Sequence, residues 1–269
     1  MAKSSAKTVS VLEVPMSDSS SSAANEFQGK PVVIVGGHLG VGPAVVRAFA
    51  GRGAQIVVGE LAGYPPNQEQ RAACALPSVS VLPLDPSGSA AAATFLDACS
   101  RQLGELHVVV LVPPPVTTGP ALDLTDTHYR QTIDRELVWP MLLMLEAARR
   151  MVPQGHGRII AFGSMSGKTG SHKGVAPFAA AKGGLYAFSR ALASDIATTG
   201  VTVNCVATAL FDVQVAAGSE HLNEVVKGIP VGRVGRSPEA AHAALYLASS
   251  EAGYVTGETL NLSGGRFMD

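Results

Sequence analysis

Short β-branched runs that alternate with longer amphipathic segments predict an α/β protein, a single domain built on a doubly wound parallel sheet. The runs are apolar throughout rather than alternately polar, as strands are when crossover helices cover both faces. A glycine-rich string lies between the first run and the first helical segment, at the ligand-binding edge of such a sheet.

Taken in order, Pro31–Val35 is an unbroken apolar strand, and residues 43–51 after the glycines form a helix opened by Pro43. Further strands are expected at 55–58, 79–82, 107–112, 158–162 and 201–206, with a last short one at 260–262. Helices are expected over about 123–151, 177–199 and 237–249, and the arrangement is of Rossmann type. Residues 1–28 are rich in Ser, Ala and Lys, which predicts a flexible tail, and 29–269 are assigned to the domain.

With 46% hydrophobic and 15% charged residues, the chain has ample material for a core. Twenty Lys and Arg balance twenty-one Asp and Glu, so no basic field draws nucleic acid or anionic lipid. No apolar stretch reaches the roughly 18 residues that cross a bilayer. A cytoplasmic protein acting on a small molecule is therefore expected. Cys74, Cys99 and Cys205 form no CxxC pair and read as core fillers in a reducing compartment. The histidines show no HExxH spacing, so no metal is expected.

Gly36, His38, Leu39, Gly40, Val41 and Gly42 occupy the turn from first strand to first helix. Glycines there let the backbone approach a pyrophosphate, and the helix start offers free N–H groups and a positive dipole end. Glu60 follows the second strand, where a carboxylate accepts hydrogen bonds from an adenosine ribose and repels a 2′-phosphate, so NAD(H) is favoured over NADP(H). His38 nearby offers some phosphate affinity. Asp85, before Pro86, is placed either against the adenine amino group or simply in an Asp-Pro turn.

These residues, with Gly157-Arg158-Ile159-Ile160 leading to Ser164, Ala179-Ala180-Ala181-Lys182-Gly183-Gly184, Val201-Thr202-Val203-Asn204 and the closing Leu262-Ser263-Gly264-Gly265, resemble the short-chain dehydrogenases/reductases over about residues 29–266. The resemblance implies a nicotinamide dinucleotide cofactor, NAD(H) or NADP(H), held also by Pro113, Lys182, Thr208 and Leu210. It implies a catalytic set in which Ser164 binds the substrate oxygen, Lys182 assists a Tyr, and a helix Asn holds a water relay. It also implies a homotetramer or homodimer, for which the apolar stretch 137–148 is a candidate interface.

The catalytic end departs from that pattern. Phe178 stands at the Tyr position and has no proton to give. Glu136 stands at the Asn position, either paired with Lys182 or free to hold positive charge on a substrate. Pro113-Pro114-Pro115 replaces the family's Asn-Asn-Ala, and Thr208-Ala209 replaces its Pro-Gly. Trp139, Ser166, His172 and Phe178 are the expected pocket residues, and Tyr186, His172 and Lys173 are weighed as substitutes for the missing Tyr. Fungal indole-alkaloid enzymes resembling this family reduce a cationic intermediate and guide a Diels–Alder cyclisation. That likeness implies reduction or cyclisation of an iminium-like, apolar heterocycle, with Glu136 stabilising its charge. A conventional carbonyl reductase with another proton donor and a non-catalytic scaffold are the other two readings.

Overall fold

The computed structural model describes residues 25–170, 173–215 and 220–269. Seven strands form one sheet: β1 (Pro31–Val35), β2 (Gln55–Leu61), β3 (Val79–Leu84), β4 (Val108–Leu111), β5 (Gly157–Ser164), β6 (Val201–Thr208) and β7 (Thr259–Leu262). All pairings are parallel, in the order β3-β2-β1-β4-β5-β6-β7. The chain leaves β1 toward β2 on one side and later returns to β4 on the other, so the order reverses between β1 and β4. That reversal opens a crevice at the strand ends where the glycine string lies.

Nine α-helices are formed among the described residues: α1 (Gly42–Ala50), α2 (Gln68–Cys74), α3 (Ser89–Leu103), α4 (Asp126–Ile133), α5 (Trp139–Gln154), α6 (Ser166–Thr169), α7 (Ala176–Asp195), α8 (Glu220–Lys227) and α9 (Ser237–Ala248). Residues of α3, α5 and α7 form one core against Val33, Val109, Ile159 and Val203 of the sheet. Helices α1 and α9 form a second against Val32, Ile34, Val108 and Ile160. Alternate residues of one strand thus enter opposite cores, which is why the strand sequences read apolar throughout.

Every expected strand is present. The helix expected over 123–151 is divided: a π-turn at Asp134–Val138 separates α4 from α5. Pro140 explains the break, because four residues after Glu136 it has no N–H for the Glu136 carbonyl. The Trp139 N–H instead reaches back five residues to Asp134. Helices α2 and α3 lie outside the segments picked out by periodicity; the Ala-rich start of α3 carries propensity but little pattern.

The boundary at residue 28 also shifts. Phe27 is fully buried and packs edge-on against Phe49, with ring centroids 4.9 Å apart, so the domain includes residues assigned to the tail. Among the described residues no helix is long and apolar enough to cross a membrane. The stretch 137–148 is largely spent on the core: Trp139, Leu143, Met144, Ala147 and Ala148 are buried there.

Candidate active site

The turn after β1 is shaped by close approach. Gly36 has φ +69°, and a Cβ on it would stand 2.2 Å from the Val112 carbonyl oxygen. A Cβ on Gly42 would stand 2.6 Å from the Gly36 carbonyl oxygen. Gly40, with φ +47°, faces open space. The Leu39 and Gly42 N–H groups donate within the turn, to Gly36 and Leu39. Among the described residues those of His38, Gly40 and Val41 have no protein acceptor, and α1 begins without a side-chain cap. Unspent donors at a helix start fit a pyrophosphate.

At the end of β2, Glu60 is half-buried and pairs with Arg71 at 3.4 Å. His38 is buried with Nδ1 unpartnered; burial lowers its pKa, while Glu60 opposes that shift. Asp85 is exposed and accepts from the Ser87 hydroxyl at 2.9 Å, as in a turn. The Leu39 and Val41 side chains pack into the two cores.

The catalytic end is organised around buried charge. Lys182 Nζ lies 2.9 Å from Glu136 Oε2, and the two side chains are 1% and 0% exposed. Arg135 Nε donates to the other carboxylate oxygen at 2.8 Å. Burial works against the Arg135 charge, but Glu136 holds its pKa above the ordinary value, and Tyr64 contributes. Arg135 Nη1 also reaches the Thr117 hydroxyl at 3.5 Å. Glu136 therefore adopts the paired state of its two expected alternatives, and its charge is shared between two cations. Sequence reading assigned no role to Arg135. Adjacent residues of a regular helix do not face one another, and the π-turn changes that.

Phe178 is buried in the first turn of α7, and Lys182 Nζ sits 5.4 Å from the centre of its ring. Ser164 ends β5; its hydroxyl accepts from the Ser166 N–H at 3.2 Å, which places buried Ser166 at the start of α6. Tyr186 is no substitute acid. Its hydroxyl accepts from the Ser164 N–H and donates to the Ser164 carbonyl, both at 2.7 Å, and burial raises its pKa. Lys173 is exposed, and His172 lies outside the described residues.

The Thr208 hydroxyl donates to the Gly163 carbonyl at 2.9 Å, while its own carbonyl accepts from Met165; the Leu210 carbonyl accepts from Gly235. Thr208 therefore braces β5 against β6, and Leu210 ties the loop after β6 to the segment before α9. A narrow apolar cavity lies between the sheet and the start of α5, lined by Leu61, Tyr64, Pro86, Pro113, Trp139 and Lys182 among others. Of these, Trp139 has its Nε1 buried without a hydrogen-bond partner among the described residues. Among the described residues no cluster of His, Cys, Asp or Glu is arranged to hold a metal.

Residues 36–266 match the family described as "Enoyl-(Acyl carrier protein) reductase". The chain is 32% identical over 245 residues to the 3-oxoacyl-[acyl-carrier-protein] reductase FabG of Escherichia coli (strain K12), covering 90% of this chain and 99% of that one. It is 31% identical to Nodulation protein G of Rhizobium sp. (strain N33), with the same coverage of both chains. Among solved structures, gox2181 superposes with TM-score 0.81 at 25% identity, over 90% of this chain and 97% of that one. A Phe-to-Tyr double mutant of a Serratia marcescens short-chain dehydrogenase/reductase superposes with TM-score 0.80 at 26% identity, over 90% and 99%. With this strand order, and with matches along nearly its whole length, the chain belongs to the short-chain dehydrogenase/reductase family of oxidoreductases.

Proposed function

We propose that this protein is a nicotinamide-dinucleotide-dependent oxidoreductase whose reaction does not use a phenolic proton donor. The observation that carries the reading is the Phe178–Lys182–Glu136 arrangement: a ring without a hydroxyl covers an ammonium already committed to a carboxylate. The intact glycine turn would hold the pyrophosphate and Glu60 the adenosine ribose, with NAD(H) preferred. A bound reduced dinucleotide supplies hydride. Ser164 is the hydroxyl left to hold the acceptor, and the apolar walls exclude water. The substrate is then one whose reduced form leaves without a proton delivered by a side chain.

An iminium ion meets that condition, but the Glu136 charge is already answered by two cations, Arg135 hydrogen-bonded to one carboxylate oxygen and Lys182 2.9 Å from the other, which accepts no hydrogen bond among the described residues. Guided cyclisation asks only for the apolar pocket. A second reading, a dinucleotide-binding protein without turnover, is favoured by the same ion pair, because it gives Lys182 a structural reason to be retained.

Calorimetric titration with NADH and NADPH tests the proposal, followed by single-turnover oxidation of bound NADH with a panel of ketones, cyclic iminium salts and conjugated carbonyls. Binding of NADH and its oxidation by a non-ketone acceptor are expected. Binding without oxidation by any acceptor supports the second reading, and absence of binding overturns both.

A further inference from the structure

Ser164 lies on a part of β5 that β4 does not reach. The two strands run together from Val108 opposite Arg158 to Leu111 opposite Ala161, where β4 ends, while β5 continues to Ser164. In a parallel strand the backbone groups of alternate residues face the same neighbour, and the Arg158 N–H donates to the His107 carbonyl on the β4 side. Ser164, an even number of residues further on, therefore turns its own N–H and carbonyl to that side. Continued at the same register, β4 would set Pro114 opposite Ser164, and the N–H for the Ser164 carbonyl would have to come from Pro115, which has none. Two buried-edge backbone groups thus need a partner that the proline run cannot supply.

Tyr186 takes that place. It reaches across from α7, 3% exposed, and its hydroxyl accepts from the Ser164 N–H and donates to the Ser164 carbonyl, both at 2.7 Å. One phenol thereby does what two residues of a neighbouring strand would do. The surrounding glycines leave room for it: a Cβ on Gly163 would collide with the hydroxyl, and one on Gly167 would stand 2.8 Å from the ring. On the other side β6 holds the same segment, through the Thr208 hydroxyl on the Gly163 carbonyl and the Met165 N–H on the Thr208 carbonyl, both at 2.9 Å. The Ser164 hydroxyl in turn accepts from the Ser166 N–H at 3.2 Å.

We infer that Tyr186 is a positioning residue: its hydroxyl replaces a fourth-strand neighbour at the end of β5, grips the Ser164 backbone and so fixes where the Ser164 hydroxyl is presented. The inference rests on the proposed function only in taking Ser164 to hold the acceptor. Tyr186 itself touches no reacting atom. A serine at a strand end gripped from one side alone would let its hydroxyl wander, and displacement by about 1 Å is enough to slow a positioned reaction roughly 100-fold.

Tyr186→Phe keeps the ring and removes only the two hydrogen bonds. Residue-resolved amide hydrogen exchange is read on the full-length protein. The Ser164 amide, which loses its acceptor, and the Ser166 amide, which reports the place of the Ser164 hydroxyl, are both expected to exchange roughly tenfold faster relative to Ile160 and Val203. Ser164→Ala, the control, is expected to speed Ser166 alone. In single-turnover oxidation of bound NADH by whichever acceptor the protein uses, Tyr186→Phe is expected to lower the maximal rate by about 10–100-fold with NADH affinity unchanged, a split that a general loss of structure would not give.

Unchanged exchange at Ser164 and Ser166, equal acceleration all along β5, or faster exchange with an unaltered rate overturns the inference. If Tyr186→Phe does not fold, the unmodified protein decides: a Ser164 amide as slow as that of Ile160 is expected, and exchange as fast as that of an exposed amide overturns it. A protein that neither binds nor oxidises NADH removes the proposed function while the exchange pattern still decides the grip on Ser164. Unchanged exchange in a protein that does oxidise NADH removes this inference and leaves the proposed function standing.

Discussion

Lys182 and Glu136 form an ion pair of 2.9 Å beneath the Phe178 ring, with both side chains essentially excluded from solvent. Two ions taken out of water at this depth depend on each other, and on Arg135, for compensation.

Removing one partner is therefore costly. Glu136→Ala leaves an ammonium and a guanidinium together without a counter-charge, and we expect a loss of about 3–5 kcal/mol in urea unfolding. Lys182→Met combined with Glu136→Leu is expected to recover part of that loss, because the desolvation cost of this pair disappears with its charges while Arg135 stays without its partner. A double variant as unstable as Glu136→Ala would mean that the pair contributes more than its own compensation.

Restoring a phenol alone is not expected to restore ketone chemistry. Phe178→Tyr places a hydroxyl near an ammonium that Glu136 already holds, so ketone reduction should remain near background. Phe178→Tyr with Glu136→Asn frees Lys182, and the gain expected from a working general acid is about 10²–10⁴-fold. Steady-state NADH oxidation with a ketone panel measures both, and a full gain from Phe178→Tyr alone would show that Lys182 is available despite its partner.

The glycine turn offers a comparison of strain with collision. Gly36→Ala drives a methyl into the Val112 carbonyl, so dinucleotide binding should be lost along with several degrees of thermal stability. Gly40→Ala meets nothing and bears only its positive φ, a cost of about 1–2 kcal/mol. Calorimetry with NADH and thermal unfolding distinguish the two; equal effects would mean that the close approach at Gly36 relaxes.

At the opposite end of the central strands, the His107 and His156 rings meet tilted at 46° with centroids 4.7 Å apart. Burial, then the charges of Lys30, His156 and Arg158, push the His107 pKa down to about 4. The unfolded chain, with its ordinary value near 6.5, therefore binds a proton more readily than the folded one. Stability from this site is present above about pH 6.5 and is lost as pH falls toward about 4. Glu239, held at about 2 by Arg233 and Arg236, acts lower, losing its contribution as pH falls from 4.5 to about 2. Urea midpoints should fall between about pH 6.5 and 4 and do so less in His107→Phe; an unchanged slope in that variant would assign the loss to other groups.

Much of this protein is legible in the chain itself. The strands are visible because residues such as Val32 and Val33 enter opposite cores, so burial on both faces is written as continuous apolar sequence. The glycine turn is visible because Gly36 and Gly42 stand where no side chain fits, a constraint on residue type. The absence of a phenol at Phe178 is likewise a fact of composition at one position. Helix α3 and the place of Phe27 are less visible, since propensity and a lone aromatic carry little pattern.

Tertiary structure alone decided what the charged residues do. Glu136 and Lys182 are 46 positions apart, and their pairing depends on α7 packing against the π-turn. Arg135 reaches Glu136 because Pro140 deprives a helix of one hydrogen bond and rotates the turn before it. Tyr186 looks in sequence like a spare acid one helical turn beyond Lys182, and in space both functions of its hydroxyl are consumed by the Ser164 backbone. Sequence specifies which groups can ionise or donate; burial and proximity, which arise when distant segments pack, determine which of them remain available for chemistry.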